Sequence, residues 1–223
     1  LYPIESFLEE YNEAKKLASR IGWEGDFSEE EVTNILATTE FDYVIHLAAH
    51  AGVRPSLEDP EKYYQNNLIK SLSLLRALEK SPYRWKIKLI FASSSSVYGG
   101  VKEFPWEESM NVSKPLSPYA GSKKALEEVC YTYHNLTEIP MIGLRFFTVY
   151  GPRQRPDMAI AKFTKAIDEG TPIQLYGEQG ETFRDYTYIS DIIEGRRTHG
   201  KNTKLSAATS ATWRASKNTS FYF

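Results

Sequence analysis

The fold is decided by the stretch Ile87-Lys88-Leu89-Ile90-Phe91-Ala92-Ser93-Ser94-Ser95-Ser96. Its first six residues form an almost continuous apolar run, which is typical of a strand buried on both faces of a parallel sheet. Four serines follow at once, so we expect them at the carboxyl end of that strand. Ligands of open parallel sheets bind beyond the carboxyl ends of the strands. The serines therefore mark one lip of a candidate binding crevice, unless they form a flexible loop.

The rest of the chain alternates between similar apolar runs and segments with helical spacing. Strands are predicted at residues 21–26, 43–48, 87–92 and 141–147, and helices at residues 5–20, 28–38, 60–80, 118–135 and 156–169. We expect the strand at 43–48 to be buried on both faces. This alternation predicts an α/β fold with right-handed βαβ units and a parallel sheet. Ala48, Ser94 and Thr148 lie at or just after the ends of three of the strands, so one crevice can collect them.

Composition narrows the class of protein. The 223 residues include 27 Lys+Arg and 29 Asp+Glu, and 41% are hydrophobic, which fits a globular core rather than a disordered chain. The single cysteine, Cys130, excludes an internal disulfide and favours a reducing compartment. No apolar run approaches the ~18 residues that cross a bilayer, and there is no secretory leader. We expect a cytoplasmic protein that does not bind membranes.

Residues 196–223 differ from the rest of the chain. They hold six Lys+Arg and no acidic residue, which leaves 21 basic against 29 acidic residues in the remainder. A basic tail can bind nucleic acid, but this one contains no folded nucleic-acid-binding motif. We therefore predict a disordered basic Ser/Thr-rich tail and no nucleic-acid partner.

A second motif carries candidate chemistry, Pro118-Tyr119-Ala120-Gly121-Ser122-Lys123. Ser117 can cap a helix, and Pro118 suits its first position. Tyr119 and Lys123 are four residues apart, so they share one face of the first turns. A free phenol has a pKa of ~10, and a neighbouring ammonium favours the phenolate. The pair is suited to move the proton of a sugar or alcohol hydroxyl, although a surface helix often shows the same spacing.

Five motifs, taken together, resemble the extended short-chain dehydrogenase/reductase family, in particular its NAD-dependent nucleotide-sugar epimerase/dehydratase branch. They are His46-Leu47-Ala48-Ala49, Phe91 to Gly99, Pro118 to Lys123, Leu144 to Pro152 and Phe183 to Ile189. The resemblance covers residues 25–195. The UDP-glucuronate 4-epimerase subgroup is the most similar, through Ala51-Gly52-Val53-Arg54, the four serines and residues 151–158.

The resemblance implies a Rossmann-like, doubly wound parallel sheet. It implies an NAD-binding domain at residues 1–150, part of a small C-terminal substrate-binding domain at 151–195, and the tail at 196–223. The family begins with a strand and a glycine-rich turn that seats the cofactor pyrophosphate on a helix N-terminus. None of the 13 glycines forms that turn. We therefore predict a truncated NAD-binding domain that lacks this strand and turn, and weak or absent binding of NAD.

The resemblance also assigns roles to single residues. The catalytic group is Ser94, Tyr119 and Lys123, with Tyr119 as the general acid and base. The NAD-binding residues are Asp26, Phe27, Leu47, Ala48, Ala49, Asn67, Ala92, Ser93, Tyr119, Lys123 and Phe147. The substrate-binding residues are Arg54, Ser95, Ser96, Thr148, Arg155 and Arg184. Arg155 would read a uronate carboxylate and Arg184 a nucleotide phosphate, unless they are solvated surface arginines. The alternative interpretation of Asn67 is an ordinary asparagine on the surface of a helix.

The serines also bear on the reaction. Related sugar dehydratases carry Asp-Glu where this chain has Ser95-Ser96, so the resemblance favours epimerisation over water elimination. We expect NAD-dependent epimerisation at C4 of a nucleotide sugar, from UDP-glucuronate to UDP-galacturonate. Two alternatives stay open, namely another UDP-sugar 4-epimerase and a non-catalytic fragment of such an enzyme. No metal site is predicted, and the resemblance implies a homodimer formed through the helix that begins at Pro118.

Overall fold

The structure, a computed structural model, describes residues 25–28, 30–173 and 185–193 and the backbone of residues 209–211. The chain divides into two compact units. The sheet unit comprises Gly25–Phe147 and Gly195–Trp213, and the second unit comprises Leu1–Glu24, Thr148–Glu194 and Arg214–Phe223. The predicted helix at residues 5–20, most of the predicted strand at 21–26, and Arg184 lie outside the described residues.

Helices and strands alternate along the described residues. They are α1 (Glu30–Thr38), β1 (Tyr43–His46), α2 (Val53–Glu58), α3 (Pro60–Tyr64), a π-helical turn (Gln65–Ile69), α4 (Lys70–Lys80), β2 (Lys88–Ala92), a 3-10 turn (Ser95–Tyr98), α5 (Pro118–Thr137), β3 (Met141–Leu144), β4 (Thr148–Tyr150), α6 (Ala159–Asp168), β5 (Tyr186–Tyr188) and β6 (Thr209–Ala211). The described strands of the sheet unit form a parallel sheet in the order β1–β2–β3–β6. This confirms the predicted α/β fold. β6 belongs to the segment for which the sequence predicted disorder.

The central strand β2 is buried on both faces, as predicted. Leu89 and Phe91 pack with α1, α4 and α5, whereas Ile90 packs with β3 on the opposite face. This alternation follows from the period of two in a strand. In β3, Gly143 lies opposite Phe91. A Cβ at this glycine would stand 2.6 Å from the Phe91 ring, so only glycine lets the ring lie across β3.

The prediction that β1 is buried on both faces is wrong. Tyr43 and Ile45 are 39% and 44% exposed, while Val44 packs into the core beside the helices. The physical reason is position, because β1 is the edge strand of the described sheet. A strand at an edge has a neighbouring strand on one side only. The apolar run thus predicts the strand itself, but not its position at the edge of the sheet.

The predicted helix at residues 60–80 is interrupted by the π-helical turn. Such a turn changes the hydrogen bonding from i→i+4 to i→i+5 and is frequent at functional sites. Asn67 lies in this turn and is 1% exposed. The alternative of an ordinary surface asparagine is therefore excluded.

In the second unit, β4 and β5 form a parallel two-stranded sheet in which Thr148 lies opposite Tyr186. The strand predicted at 141–147 ends earlier, at Leu144, and the helix predicted from residue 156 begins at Ala159. Among the residues that the structure describes, no helix is long and apolar enough to cross a bilayer. The same residues contain no group of three His, Cys, Asp or Glu side chains that could hold a metal ion.

Candidate active site

The candidate site is built on the first turns of α5. Ser117 caps this helix, because its hydroxyl accepts a hydrogen bond from the Ala120 N–H at 3.1 Å, and Pro118 is the first helical residue. Both features agree with the sequence. The cap fixes the start of the helix, so Tyr119 and Lys123 share one face. Tyr119 is half-buried, whereas Lys123 is only 3% exposed.

Lys123 reaches back to the end of β2. Its Nζ donates a hydrogen bond to the carbonyl oxygen of Ala92 at 2.8 Å. Burial lowers the pKa of Lys123 from 10.5 to about 8, because desolvation disfavours the ammonium. The ammonium is still the major form at neutral pH. Helix α5 thus places a positive charge beside the residue that directly precedes the serines.

The serine turn, defined here as residues 93–98, is ordered by several hydrogen bonds. Ser94 caps the 3-10 turn, since its Oγ accepts from the Ser96 N–H at 3.2 Å. The Ser93 and Ser95 N–H groups donate to the carbonyl oxygens of Leu144 and Phe146 at 2.8 and 2.9 Å. These bonds attach the turn to the end of β3 and exclude a flexible loop. The structure therefore brings the serine turn and Lys123 together at the carboxyl end of β2.

Asn67 connects the loop after β1 to α5. Its Oδ1 accepts from the His50 N–H at 2.7 Å, and its Nδ2 donates to the His50 carbonyl oxygen at 3.0 Å and to Ser122 Oγ at 3.1 Å. The Ser122 hydroxyl in turn donates to the Tyr119 carbonyl oxygen at 2.8 Å. One buried amide thereby fixes both the predicted cofactor loop and the helical turn that carries Tyr119.

Tyr63 is a neighbour of the site to which the sequence analysis gave no role. Its ring packs edge-on against Tyr119, with the centroids 6.1 Å apart and the planes at 78°. Its hydroxyl donates to the Ala51 carbonyl oxygen at 3.1 Å. The sequence could have indicated this position, because Tyr63 and Asn67 are four residues apart and therefore lie on one side of a helical segment.

His46 supports the π-helical turn from β1. Its Nε2 lies 2.8 Å from Ser71 Oγ, and the Ser71 hydroxyl lies 2.9 Å from the Asn67 carbonyl oxygen. Since Ser71 donates its proton to that carbonyl, His46 carries its proton on Nε2 and donates to Ser71. Burial, with a smaller contribution from the charge of Lys123, lowers the pKa of His46 from 6.5 to about 4.

We expect this histidine to make folding sensitive to acid. The unfolded chain binds the proton at a higher pH than the folded protein, so the contribution to stability is complete above pH 6.5 and is lost towards pH 4. The difference between a pKa of 6.5 and one of about 4 corresponds to about 3 kcal/mol of unfolding free energy. Urea unfolding at pH 7.0 and 4.5 measures the loss in the native protein and in His46→Gln, which keeps a donor but does not titrate. An equal loss in both proteins would contradict this assignment.

Asp26 and Phe27 lie close to the hydrogen bonds that join His46 to Ser71. The Asp26 carboxylate accepts from the Ser28 N–H and hydroxyl at 3.0 and 2.7 Å and forms an ion pair with Lys70. Hydrogen bonding from Lys70, and then from Ser28, lowers the pKa of Asp26 to about 2. The Phe27 ring packs against the His46 ring at 4.9 Å. These contacts join Asp26 to the start of α4 and Phe27 to β1.

The other predicted binding residues occupy varied positions. Phe147 packs against the ring of Trp106 at 6.0 Å, and Leu47, Ala48 and Arg54 are exposed. In the second unit, Arg155 forms two hydrogen bonds with Asp157, one of them from Nε to Oδ1 at 2.9 Å. The roles assigned to Thr148 and Arg155 stay predictions, and Arg184 lies outside the described residues.

A buried ion pair behind the serine turn was not assigned any role from the sequence. Arg145 Nε and Nη2 donate to the two carboxylate oxygens of Glu127, each at 2.9 Å. Burial would raise the pKa of Glu127, but hydrogen bonds from Arg145 and Ser93 hold it below its usual value. Two features of the sequence could have indicated this pair. Glu127 lies one helical turn after Lys123, and Arg145 directly follows β3.

Comparisons with known proteins identify the family of the chain. The chain matches the model of the NAD dependent epimerase/dehydratase family over residues 7–202. It is 43% identical to a UDP-glucuronate 4-epimerase of Thermodesulfobacterium geofontis, over 82% of this chain and 56% of that protein. It is 42% identical to UDP-glucuronate 4-epimerase 1 of Arabidopsis thaliana, over 77% of this chain and 40% of that protein. The chain spans about half the length of the curated relatives it matches.

Solved structures give the same result. The chain resembles UDP-glucuronic acid 4-epimerase from Bacillus cereus, solved with UDP-glucuronic acid and NAD, with a TM-score of 0.77 and 36% identity over 86% of this chain and 59% of that chain. It also resembles UDP-N-acetylglucosamine 4-epimerase from Methanobrevibacter ruminantium M1, solved with UDP-N-acetylmuramic acid, with a TM-score of 0.76 and 32% identity over 89% and 61%. Since the family model covers most of its length, the chain belongs to the NAD dependent epimerase/dehydratase family.

Proposed function

We propose that this chain carries the catalytic residues of an epimerase that inverts C4 of UDP-glucuronate. The observation that carries the proposal is the hydrogen bond from Lys123 to Ala92, because it joins the Tyr-Lys helix to the serine turn at the end of β2. The names of the relatives at 42% and 43% identity support the choice of sugar.

In this proposal, Tyr119 is the proton-transfer group. Its phenolate accepts the proton of the C4 hydroxyl. It returns the proton to the same oxygen after the 4-keto sugar has rotated within the site. The Lys123 ammonium stabilises the phenolate, and the Ser94 hydroxyl donates a hydrogen bond to the C4 oxygen while its carbonyl character develops. NAD, when bound, supplies the hydride acceptor at C4 and returns the hydride.

The described residues fit two parts of NAD. Lys123 and Ala92 would hold the nicotinamide ribose, and Asp26, fixed by its pair with Lys70, would hold the adenosine end together with Phe27. Ala48 and Ala49 have small side chains that let phosphate approach the backbone. Among the described helices, none begins on a turn of two or more glycines. These residues therefore fit the nicotinamide and adenosine ends better than the pyrophosphate.

Arg155 is the proposed reader of the uronate carboxylate. Its guanidinium already binds one carboxylate of the chain, that of Asp157, through two hydrogen bonds. A planar fork of this kind suits a second carboxylate of the same geometry.

We expect the protein, supplied with NAD, to prefer UDP-glucuronate over UDP-glucose by more than about tenfold in kcat/KM. UDP-glucose lacks the carboxylate, so it would leave the arginine without its partner. Arg155→Gln should reduce the preference, mainly by raising KM for UDP-glucuronate. The neighbouring substitution Arg153→Gln is the matched control and should leave the preference unchanged. Exclusive turnover of UDP-glucose would reject the uronate substrate and favour another UDP-sugar 4-epimerase.

A non-catalytic chain is the second candidate function. It is favoured by one observation, that the sequence contains no Gly-x-Gly-x-x-Gly pattern. Measuring the affinity for NAD separates the two candidates.

We also propose that residues 1–150 serve cofactor binding and residues 151–195 substrate binding. A homodimer through α5 is supported by the exposed side chains of Tyr131 and Leu136 on that helix, 46% and 72% exposed.

A further inference from the structure

We infer that the buried pair of Glu127 and Arg145 is a positioning device for the serine turn. The pair fixes both ends of residues 93–98 to α5, and so sets where Ser94 stands relative to Tyr119. The consequence for catalysis rests on the proposed function, whereas the consequence for the conformation of the turn does not.

The first end of the turn is held by Glu127. The Ser93 hydroxyl donates to Glu127 Oε1 at 2.6 Å, and Ser93 is 3% exposed. Glu127 lies on α5 one turn after Lys123 and two turns after Tyr119. Any movement of Ser93 relative to this helix also moves Ser94, the next residue. Ser93, predicted from the resemblance to be an NAD-binding residue, thus has its hydroxyl engaged by the helix.

The other end of the turn is held by Arg145. Its Nη1 donates to the Tyr98 hydroxyl oxygen at 2.9 Å, and its guanidinium carbon lies 4.9 Å from the centre of the Tyr98 ring. Tyr98 is fully buried and stacks on Trp106 at 5.1 Å. Arg145 Nη1 also donates to the Glu108 carbonyl oxygen at 3.3 Å. The guanidinium therefore ties the end of the turn, the following loop and β3 to one point.

The geometry of the pair suits a rigid link. Two parallel N–H to oxygen bonds fix the angle as well as the distance between the partners. The side chains of Arg145 and Glu127 are 5% and 9% exposed, where charged hydrogen bonds are stronger than in water. Lys124 approaches Glu127 at 3.5 Å but binds Glu128 more closely, at 2.7 Å. Removal of the Glu127 charge would leave Arg145 buried without its partner.

Glu128 provides a matched control. It is the next residue on α5, and its 64% exposed side chain forms an ion pair with Lys124. Glu128→Gln removes one carboxylate from the same helix, close to Lys124, without changing the bonds to the serine turn. Glu127→Gln removes the carboxylate charge with the same change of atoms.

Hydrogen exchange tests the link in the chain without cofactor or substrate. The Ser95 and Ser96 amides report on the turn, because they bond to the Phe146 carbonyl oxygen and to Ser94 Oγ. In Glu127→Gln we expect these two amides to exchange at least about tenfold faster, as in a segment with a lower local opening free energy. Amides in the middle of β2 should change by less than about twofold in the same variant, and all of them by less than about twofold in Glu128→Gln.

Milder variants keep the test valid if Glu127→Gln does not fold. Ser93→Ala and Tyr98→Phe each remove one hydroxyl from one end of the link, and each should speed exchange of the serine turn without unfolding the sheet. Unchanged exchange at Ser95 and Ser96 in these two variants would overturn the inference, whether or not the protein is active.

Kinetics separate a positioning role from a merely structural one. If the protein is active, Glu127→Gln should lower kcat by about tenfold or more while KM for the UDP-sugar stays within about twofold, as expected for a misplaced catalytic hydroxyl. Faster exchange with unchanged kcat would overturn the positioning role. Faster exchange in a protein that binds NAD but shows no turnover of the UDP-sugar would reject the proposed function and leave the link between α5 and the serine turn supported.

Discussion

Tyr119→Phe is expected to lower kcat for UDP-glucuronate by about 10²- to 10⁴-fold, the usual contribution of a positioned acid or base. The substitution removes only the hydroxyl. The ring still packs edge-on against Tyr63, and the Ser122 hydroxyl still donates to the backbone of residue 119. The loss should therefore appear in kcat at saturating substrate, with little change in the urea midpoint of unfolding.

The matched control is Tyr133→Phe, which removes a phenol hydroxyl from the same helix at a half-buried ring that packs against the hydrophobic core. Its kcat should equal that of the native protein. The assay supplies millimolar NAD and follows UDP-galacturonate by chromatography. A Tyr119→Phe protein that keeps kcat within about tenfold would show that another group moves the proton.

NAD is expected to bind this chain in the millimolar range, about 10³-fold more weakly than a micromolar cofactor site. A glycine-rich turn at a helix N-terminus gives the pyrophosphate several N–H donors and the positive end of the helix dipole. The sequence contains no Gly-x-Gly-x-x-Gly pattern of the kind that forms such a turn. A loss of 10³-fold corresponds to about 4 kcal/mol of binding free energy. Isothermal titration of the 223-residue chain with NAD measures the affinity directly.

The control joins a strand, glycine-rich turn and helix of a relative to the N-terminus of the chain. This addition should bring the NAD dissociation constant into the micromolar range and permit the kinetic assays if the chain alone shows no turnover. Micromolar affinity of the unmodified chain would contradict the prediction and reject the non-catalytic alternative. Failure of the extended chain to bind NAD would count against the assignment of Lys123 and Ala92 to the nicotinamide ribose.

The parts of the fold that local patterns determine were predicted well. The apolar run up to Ala92 became β2, and Ser117 and Pro118 start α5 as their capping preferences require. The exposure of Tyr43 and Ile45 could not be predicted, because an apolar run does not tell which strand lies at the edge of a sheet. The π-helical turn also has no signature in the spacing of apolar residues, so the sequence left a surface position open as the alternative for Asn67.

In the candidate site too, local features could be predicted from the sequence and contacts between distant residues could not. Tyr119 and Lys123 are four residues apart on one helix, so their common face follows from sequence alone. Glu127 and Arg145 are 18 residues apart, and their pairing depends on how α5 packs against β3. The Ser93 hydroxyl could equally face a ligand or the helix until that packing is known. Contacts across the fold therefore had to come from the structure.

The most direct measurement is a crystal structure of the protein, with the added segment if binding requires it, in complex with NAD and UDP-glucuronate. We predict that the C4 oxygen of the sugar lies within about 2.6–3.2 Å of both Tyr119 Oη and Ser94 Oγ, the reach that proton transfer and hydrogen bonding require. A sugar whose C4 oxygen touches neither hydroxyl, with Tyr119 and Ser94 facing separate spaces, would contradict the proposed active site.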